Sequence, residues 1–441
     1  MTLHDRRSVG GLPPLHEAWL PREHALHRPR HGGRQLTALI CALVFFTTPA
    51  FMWLFGMRPV ALENHQVKGF PSILEGWGFL TGMDPWATEN LVFRPEAIAA
   101  ADWVSRTLFG EAAPYDQGNG APAGPLPGGP PKPETGTTTP DDPSATDQDS
   151  AGYRRVIEGS DGWMYLGLDT ANKCKPKQPL DKTIKQLDAL RDAVEASGRK
   201  FMLVAVPDKS TMVPEHLPDS YPGKHCASEV TPGLWRNLAT AGAIDMRPSL
   251  QATSELLGRP VYFPLDSHWT DEGALTMVRQ LADRIEPGVS ENWRIERSET
   301  HEASADLPPL IGKQGENKAP SFRLLPDGET DRTGTHLKDP RKPIRRSSEP
   351  IDGMVDKSTL LLGDSFMLPA SAYLSGAFSD ITQLYYNTIE SDPALVASTM
   401  VENDVVVFEI VERNIALGTP EILDGPFIDH VREELQKHPI R

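Results

Sequence analysis

Basic charge is scarce in this chain. Across 441 residues, 44 lysines and arginines stand against 60 aspartates and glutamates, a formal net charge of −16 with histidine neutral. Gripping a nucleic-acid backbone takes clustered Lys and Arg to neutralise phosphates, so that class of partner is excluded. An acidic surface suits a soluble domain on the outer side of a membrane. Cysteine is scarcer still, with three in the chain. No Cys/His cluster has the spacing of metal ligands, so neither a metal nor another cofactor is expected. An internal repeat is also lacking, which removes solenoid and propeller architectures. What is present, 39% hydrophobic and 24% charged residues, is enough for one sizeable core and a small second element.

One long apolar run occupies residues 36–55, interrupted by Thr37, Thr47, Thr48 and Pro49. About 20 such residues span a bilayer. The tail before it is too long for the first region of a cleaved signal peptide, and no small-x-small site follows. Arg22, Arg28, Arg30 and Arg34 flank the run on one side and Arg58 alone on the other, so the rule that positive flanks stay inside makes 1–35 a cytoplasmic tail and 36–56 a transmembrane anchor. Residues 57–110, with Trp77, Phe79, Trp86 and Trp103, read as a juxtamembrane helical segment. Residues 111–150 are rich in Pro, Gly and Thr, cannot bury enough apolar surface to offset ordering, and read as a disordered linker. The remainder, 151–441, is then an exported domain containing Cys174 and Cys226, a pair that oxidises outside the cytoplasm.

That domain alternates strand and helix patterns. A hairpin is expected around Ser160-Asp161-Gly162, and a helix over 180–197. Strands are expected at 201–206, 243–246, 261–263, 359–362, 381–386 and 405–410, with helices at 271–285 and 393–402. The rhythm predicts a three-layer α/β sheet with its working loops at the carboxyl ends of the strands. Between 286 and 357 the pattern fails, so long loops are expected there.

Two motifs carry chemistry. Asp266-Ser267-His268-Trp269 follows the 261–263 run, and Gly363-Asp364-Ser365-Phe366 ends the 359–362 run. A serine is a poor nucleophile until an imidazole takes its proton, and the imidazole works best when a carboxylate fixes its tautomer. Ser365, His268 and Asp266 fill those roles. In extended backbone Asp266 and His268 point the same way, and Thr270 is placed to cap the following helix. Gly363 permits a tight turn, and Asp364 braces it.

The ordered set resembles the SGNH-hydrolase-like domain of the AlgX/AlgJ-type alginate O-acetyltransferases. Gly159-Ser160-Asp161-Gly162-Trp163-Met164-Tyr165-Leu166, Val206-Pro207-Asp208-Lys209 and Glu409-Ile410-Val411-Glu412-Arg413 share in it. The resemblance implies a flavodoxin-like, SGNH-type sheet with the triad order reversed, Asp and His before Ser. It also implies acetyl transfer to a polysaccharide or cell-envelope glycan, beside a multispanning membrane acyltransferase that delivers acetyl groups. The glycine and asparagine blocks that complete the oxyanion hole of ordinary SGNH hydrolases are not recognisable. Asn387 is the candidate donor, or else a turn residue. Lys209 either touches a sugar or carboxylate or is a solvated loop lysine. Arg413 either orients an acidic polysaccharide or forms an ion pair, and Trp269 either stacks on a sugar or braces the loop. The same triad also fits a carbohydrate acetylesterase, and a non-catalytic glycan-binding scaffold is a third reading.

Overall fold

In the computed structural model, residues 33–55, 71–72, 78–79, 86, 94–109 and 152–440 are described. The expected tail up to residue 32 and the linker at 111–150 lie outside them. The chain divides into two compact units, and the larger comprises Ala61–Gln66 and Pro95–Arg441. Before residue 152 lie the 22-residue helix Gly33–Leu54 and the helix Arg94–Phe109. Among the described residues, no helix is long and apolar enough to cross a membrane.

The domain opens with the hairpin β1 (Val156–Glu158) and β2 (Met164–Leu166), antiparallel around Ser160–Gly162 as expected. Its centre is a six-stranded sheet. In chain order the strands are β3 (Lys200–Val206), β4 (Ile244–Asp245), β7 (Ile344–Ser347), β8 (Thr359–Gly363), β9 (Asp380–Tyr385) and β10 (Val405–Val411). Their spatial order is β4-β3-β10-β8-β9-β7, parallel except for β7 at one edge. The strands read as nearly continuous apolar runs because both faces are covered. Phe201, Leu203 and Ala205 of β3 and Val406, Phe408 and Ile410 of β10 point into one core, packed by the helices Leu180–Glu195, Lys224–Thr240, Pro393–Val401 and Gly425–Lys437. Met202, Val204, Val407 and Leu361 point into the other, packed by the helices Arg247–Leu257, Asp271–Ile285 and Met367–Ala377. This is the expected three-layer arrangement, with the period of two along each strand assigning side chains to opposite cores.

Two expectations need correction. The 261–263 run is not a ladder strand: it makes an isolated bridge, Tyr262 to Trp269, closed by Thr270 N–H to the Val261 carbonyl at 2.8 Å and Phe263 N–H to the His268 carbonyl at 3.3 Å. The region 286–357 is not all loop. It contains an antiparallel ribbon, β5 (Arg294–Ala303) with β6 (Asn317–Leu325), together with β7. The β5 sequence, RIERSETHEA, is polar on both faces and mostly exposed, so it carries no apolar alternation to announce a strand.

Candidate active site

The strand β8 is wholly buried and delivers Gly363 to the carboxyl edge of the sheet, where the chain turns into the helix Met367–Ala377. Gly363 is required by close approach, not by a left-handed backbone, since a Cβ there would sit 2.6 Å from Glu409 Oε2 and 3.0 Å from Met367 Cβ. Asp364 braces the turn as expected: one carboxylate oxygen accepts from Phe366 N–H at 3.1 Å and the other from Val411 N–H at 2.8 Å, while the Asp364 N–H donates to Glu409 at 3.1 Å. Ser365 is thereby held at the start of a helix, where its backbone and the helix dipole favour developing negative charge.

The Asp-x-His loop meets it from the neighbouring helix. His268 Nε2 lies 2.6 Å from Ser365 Oγ, and His268 Nδ1 lies 2.6 Å from Asp266 Oδ1. The same Oδ1 accepts the His268 backbone N–H at 2.9 Å. Asp266 therefore reaches the imidazole by a local Asx-type turn, not by extended alternation. Thr270 occupies the N-cap position of the helix Asp271–Ile285, but its hydroxyl makes no capping bond. The helix is instead pressed against the loop, since a Cβ on Gly273 would meet Trp269 Cβ at 2.8 Å. The His268 side chain is 18% exposed and Asp266 1%, so the base is reachable and its orienting acid is not.

An acid without a motif joins them. Asp306 accepts Ser267 N–H at 2.7 Å and Ser267 Oγ–H at 2.6 Å, and its own N–H donates to Asp266 Oδ2 at 3.2 Å. Its carboxylate stands 3.6 Å from His268 Nδ1. Burial and then the Asp266 charge push Asp306 up to about 6. Burial would raise Asp266 too, but the imidazolium and its hydrogen bonds outweigh it and hold the acid well below the usual carboxylate range. Burial would lower His268, and the two carboxylates reverse this and raise it. Asp266, His268 and Asp306 place three ligand-type atoms within 4.8 Å, yet both ring nitrogens of His268 are already engaged in the triad.

The secondary candidates resolve differently. Trp269 is fully buried; its indole N–H donates to the Phe366 carbonyl at 3.1 Å and its ring meets the Phe366 ring edge-on, so it braces the loop and does not face a sugar. Lys209 is 1% exposed, which rules out both the solvated reading and direct sugar contact. Arg413 forms ion pairs with Asp208 at 3.2 Å and Asp169 at 3.6 Å, beneath the Phe366 ring. Lys173 completes this buried network, 2.9 Å from both Asp208 and Glu412. Asn387 lies buried in the turn Tyr386–Glu390 after β9, and among the described residues no hydrogen bond joins it to the triad. Cys174 and Cys226 form a disulfide.

Residues 156–378 match the model of the SGNH hydrolase-like domain of the acetyltransferase AlgX. A probable alginate O-acetylase AlgJ of Pseudomonas syringae pv. tomato is 27% identical over 217 residues, 48% of this chain and 51% of that protein. The chain thus spans between a third and a half of the length of the curated relatives it matches first. Among solved structures, the O-acetyltransferase domain of Pseudomonas putida AlgJ matches with a TM-score of 0.42 and 16% identity, over 63% of this chain and 98% of that one. AlgX of Pseudomonas aeruginosa matches with a TM-score of 0.41 and 14% identity, over 64% and 66%. With half its length under the family model, and that half holding both triad motifs, the chain belongs to the family of the SGNH hydrolase-like AlgX acetyltransferase domain.

Proposed function

We propose that the protein is a membrane-anchored, extracytoplasmic O-acetyltransferase that moves an acetyl group through an acyl-serine to a hydroxyl of a polysaccharide or cell-envelope glycan. The observation that carries this reading is the continuous hydrogen-bonded chain from Ser365 Oγ through His268 to Asp266 at the carboxyl edge of the sheet. Ser365 Oγ attacks the donor's acetyl carbonyl while its proton passes to His268 Nε2. The tetrahedral oxyanion collapses, and the leaving group departs with that proton. A glycan hydroxyl then gives its proton to Nε2 and attacks the acetyl-serine, and Ser365 leaves and regains the proton. Asp266 stabilises the imidazolium at both stages.

The acceptor class is supported by the name of the curated relatives, alginate O-acetylases. Anchoring is supported by the apolar run at 36–55 and its one-sided arginines, and by the exposed Leu36, Leu39, Ile40, Leu43, Val44 and Phe51 of the helix Gly33–Leu54. A multispanning membrane acyltransferase is the proposed acetyl source. The test is mass spectrometry of the purified domain supplied with a chromogenic acetyl ester and candidate glycans. Acetate on Ser365 and then on sugar is expected. Acetate released only to water makes the protein an esterase, and neither product removes acyl-serine chemistry.

A further inference from the structure

Lys209 occupies a place that the acyl-transfer scheme leaves unexplained. It follows β3 and Pro207 at the carboxyl edge, is almost wholly buried, and lies over the rings of Tyr165 and Trp163, 5.2 and 5.7 Å from their centroids. A buried ammonium is costly unless its protons are used. All three are: Nζ donates to the carbonyls of Phe263 at 3.0 Å, Pro264 at 3.2 Å and Asp266 at 2.6 Å. These carbonyls belong to the loop that carries Asp266 and His268. That loop lacks a sheet ladder and a side-chain helix cap, so backbone clamping must come from elsewhere.

We infer that Lys209 is a positioning residue for the triad, its ammonium pinning the 263–266 backbone so that His268 stays aimed at Ser365; this rests on the acyl-serine reading above. The charged groups facing it are Asp266 and Asp306 from the site and Asp169 from the helix Leu168–Cys174. Its cation also favours ionised Asp266 and opposes a second positive charge on His268.

The experiment compares full-length wild type, Ser365→Ala and Lys209→Met in acetyl-ester turnover across pH, with melting recorded alongside. Lys209→Met is expected to lower kcat about 100-fold, as for a misplaced catalytic group, with KM little changed. A merely structural lysine lowers melting temperature but leaves the kcat of the folded fraction in place, and that result overturns the inference. Turnover surviving in Ser365→Ala overturns the acyl-serine reading separately. Should Lys209→Met not fold, hydrogen exchange on the wild type decides. Burial pushes Lys209 down to about 8 against the pull of the surrounding carboxylates, so above that pH the clamp loses a donor. The Phe263 and His268 amides should then exchange faster relative to Val204 in β3, and a ratio that stays constant from there to beyond the ordinary lysine value of about 10.4 overturns the clamp.

Discussion

At the scale of single residues, the triad is one device and its mutants should behave as one. Ser365→Ala and His268→Ala should each remove nearly all turnover, with the double mutant scarcely worse, because groups acting together are strongly non-additive. Asp266→Asn leaves the imidazole in the wrong tautomer and should cost on the order of 10⁴-fold, the loss seen in the best-studied serine triad. The pH dependence follows from signs. His268 is a base only when deprotonated, and Asp266 and Asp306 raise its pKa above the ordinary 6.5. Turnover should thus rise with pH through a limb above 6.5, and Asp266→Asn should bring that limb down. A limb unmoved in folded Asp266→Asn protein would separate the acid from the base. The triad was legible because Asp-x-His-Trp and Gly-Asp-Ser-Phe are local strings. Asp306 was not, since a single acid in an irregular stretch acquires meaning only when the fold sets it 3.6 Å from His268 Nδ1. Lys209 and Arg413 were legible as positions at the working edge but not as buried groups, because sequence does not report what closes over them.

At the scale of elements, the carboxyl edge is stapled by charge. Lys173 on the helix Leu168–Cys174 bridges Asp208 after β3 and Glu412 after β10, and both acids are fully buried. Burial and then the Asp169 charge push Asp208 up to about 6. Removing Lys173 takes the ammonium from buried Glu412 and leaves Asp208 to Arg413, so Lys173→Met should destabilise by about 3–5 kcal/mol in chemical denaturation. Adding Glu412→Leu should recover part of the loss. No loss in the single variant would mean that the network carries no net energy. The adjoining disulfide ties this helix to Lys224–Thr240 across 52 residues. A closed loop of that length is worth about 4 kcal/mol in the chain-entropy account, so a melt with reductant should fall well below one without. The strands and long helices here were readable from apolar runs and 3.6-residue periodicity. The β5–β6 ribbon was not, because its residues alternate nothing, and the 261–263 run misled because a short apolar string does not say what it pairs with.

At the scale of the whole molecule, topology has to agree with chemistry. A disulfide between Cys174 and Cys226 persists in an oxidising compartment and is rare in a cytosol kept reducing. Under the proposed anchoring, the arginines at 22, 28, 30 and 34 against Arg58 would put everything after the apolar run on that same outer side. Cysteine redox and charge asymmetry are independent, and both support the proposal that the triad works where envelope glycans are exposed. A reporter enzyme fused after Arg441 should therefore be active only in the form that works outside the cytoplasm. Replacing Arg22, Arg28, Arg30 and Arg34 with neutral residues should weaken that orientation, because the rule counts positive charges near the span and almost nothing else. Alkylation of intact cells should leave Cys174 and Cys226 unlabelled until a reductant is added. Reporter activity in the cytoplasm, together with free Cys174 and Cys226 thiols, would remove the acceptor glycan from reach of Ser365 and with it the transferase reading.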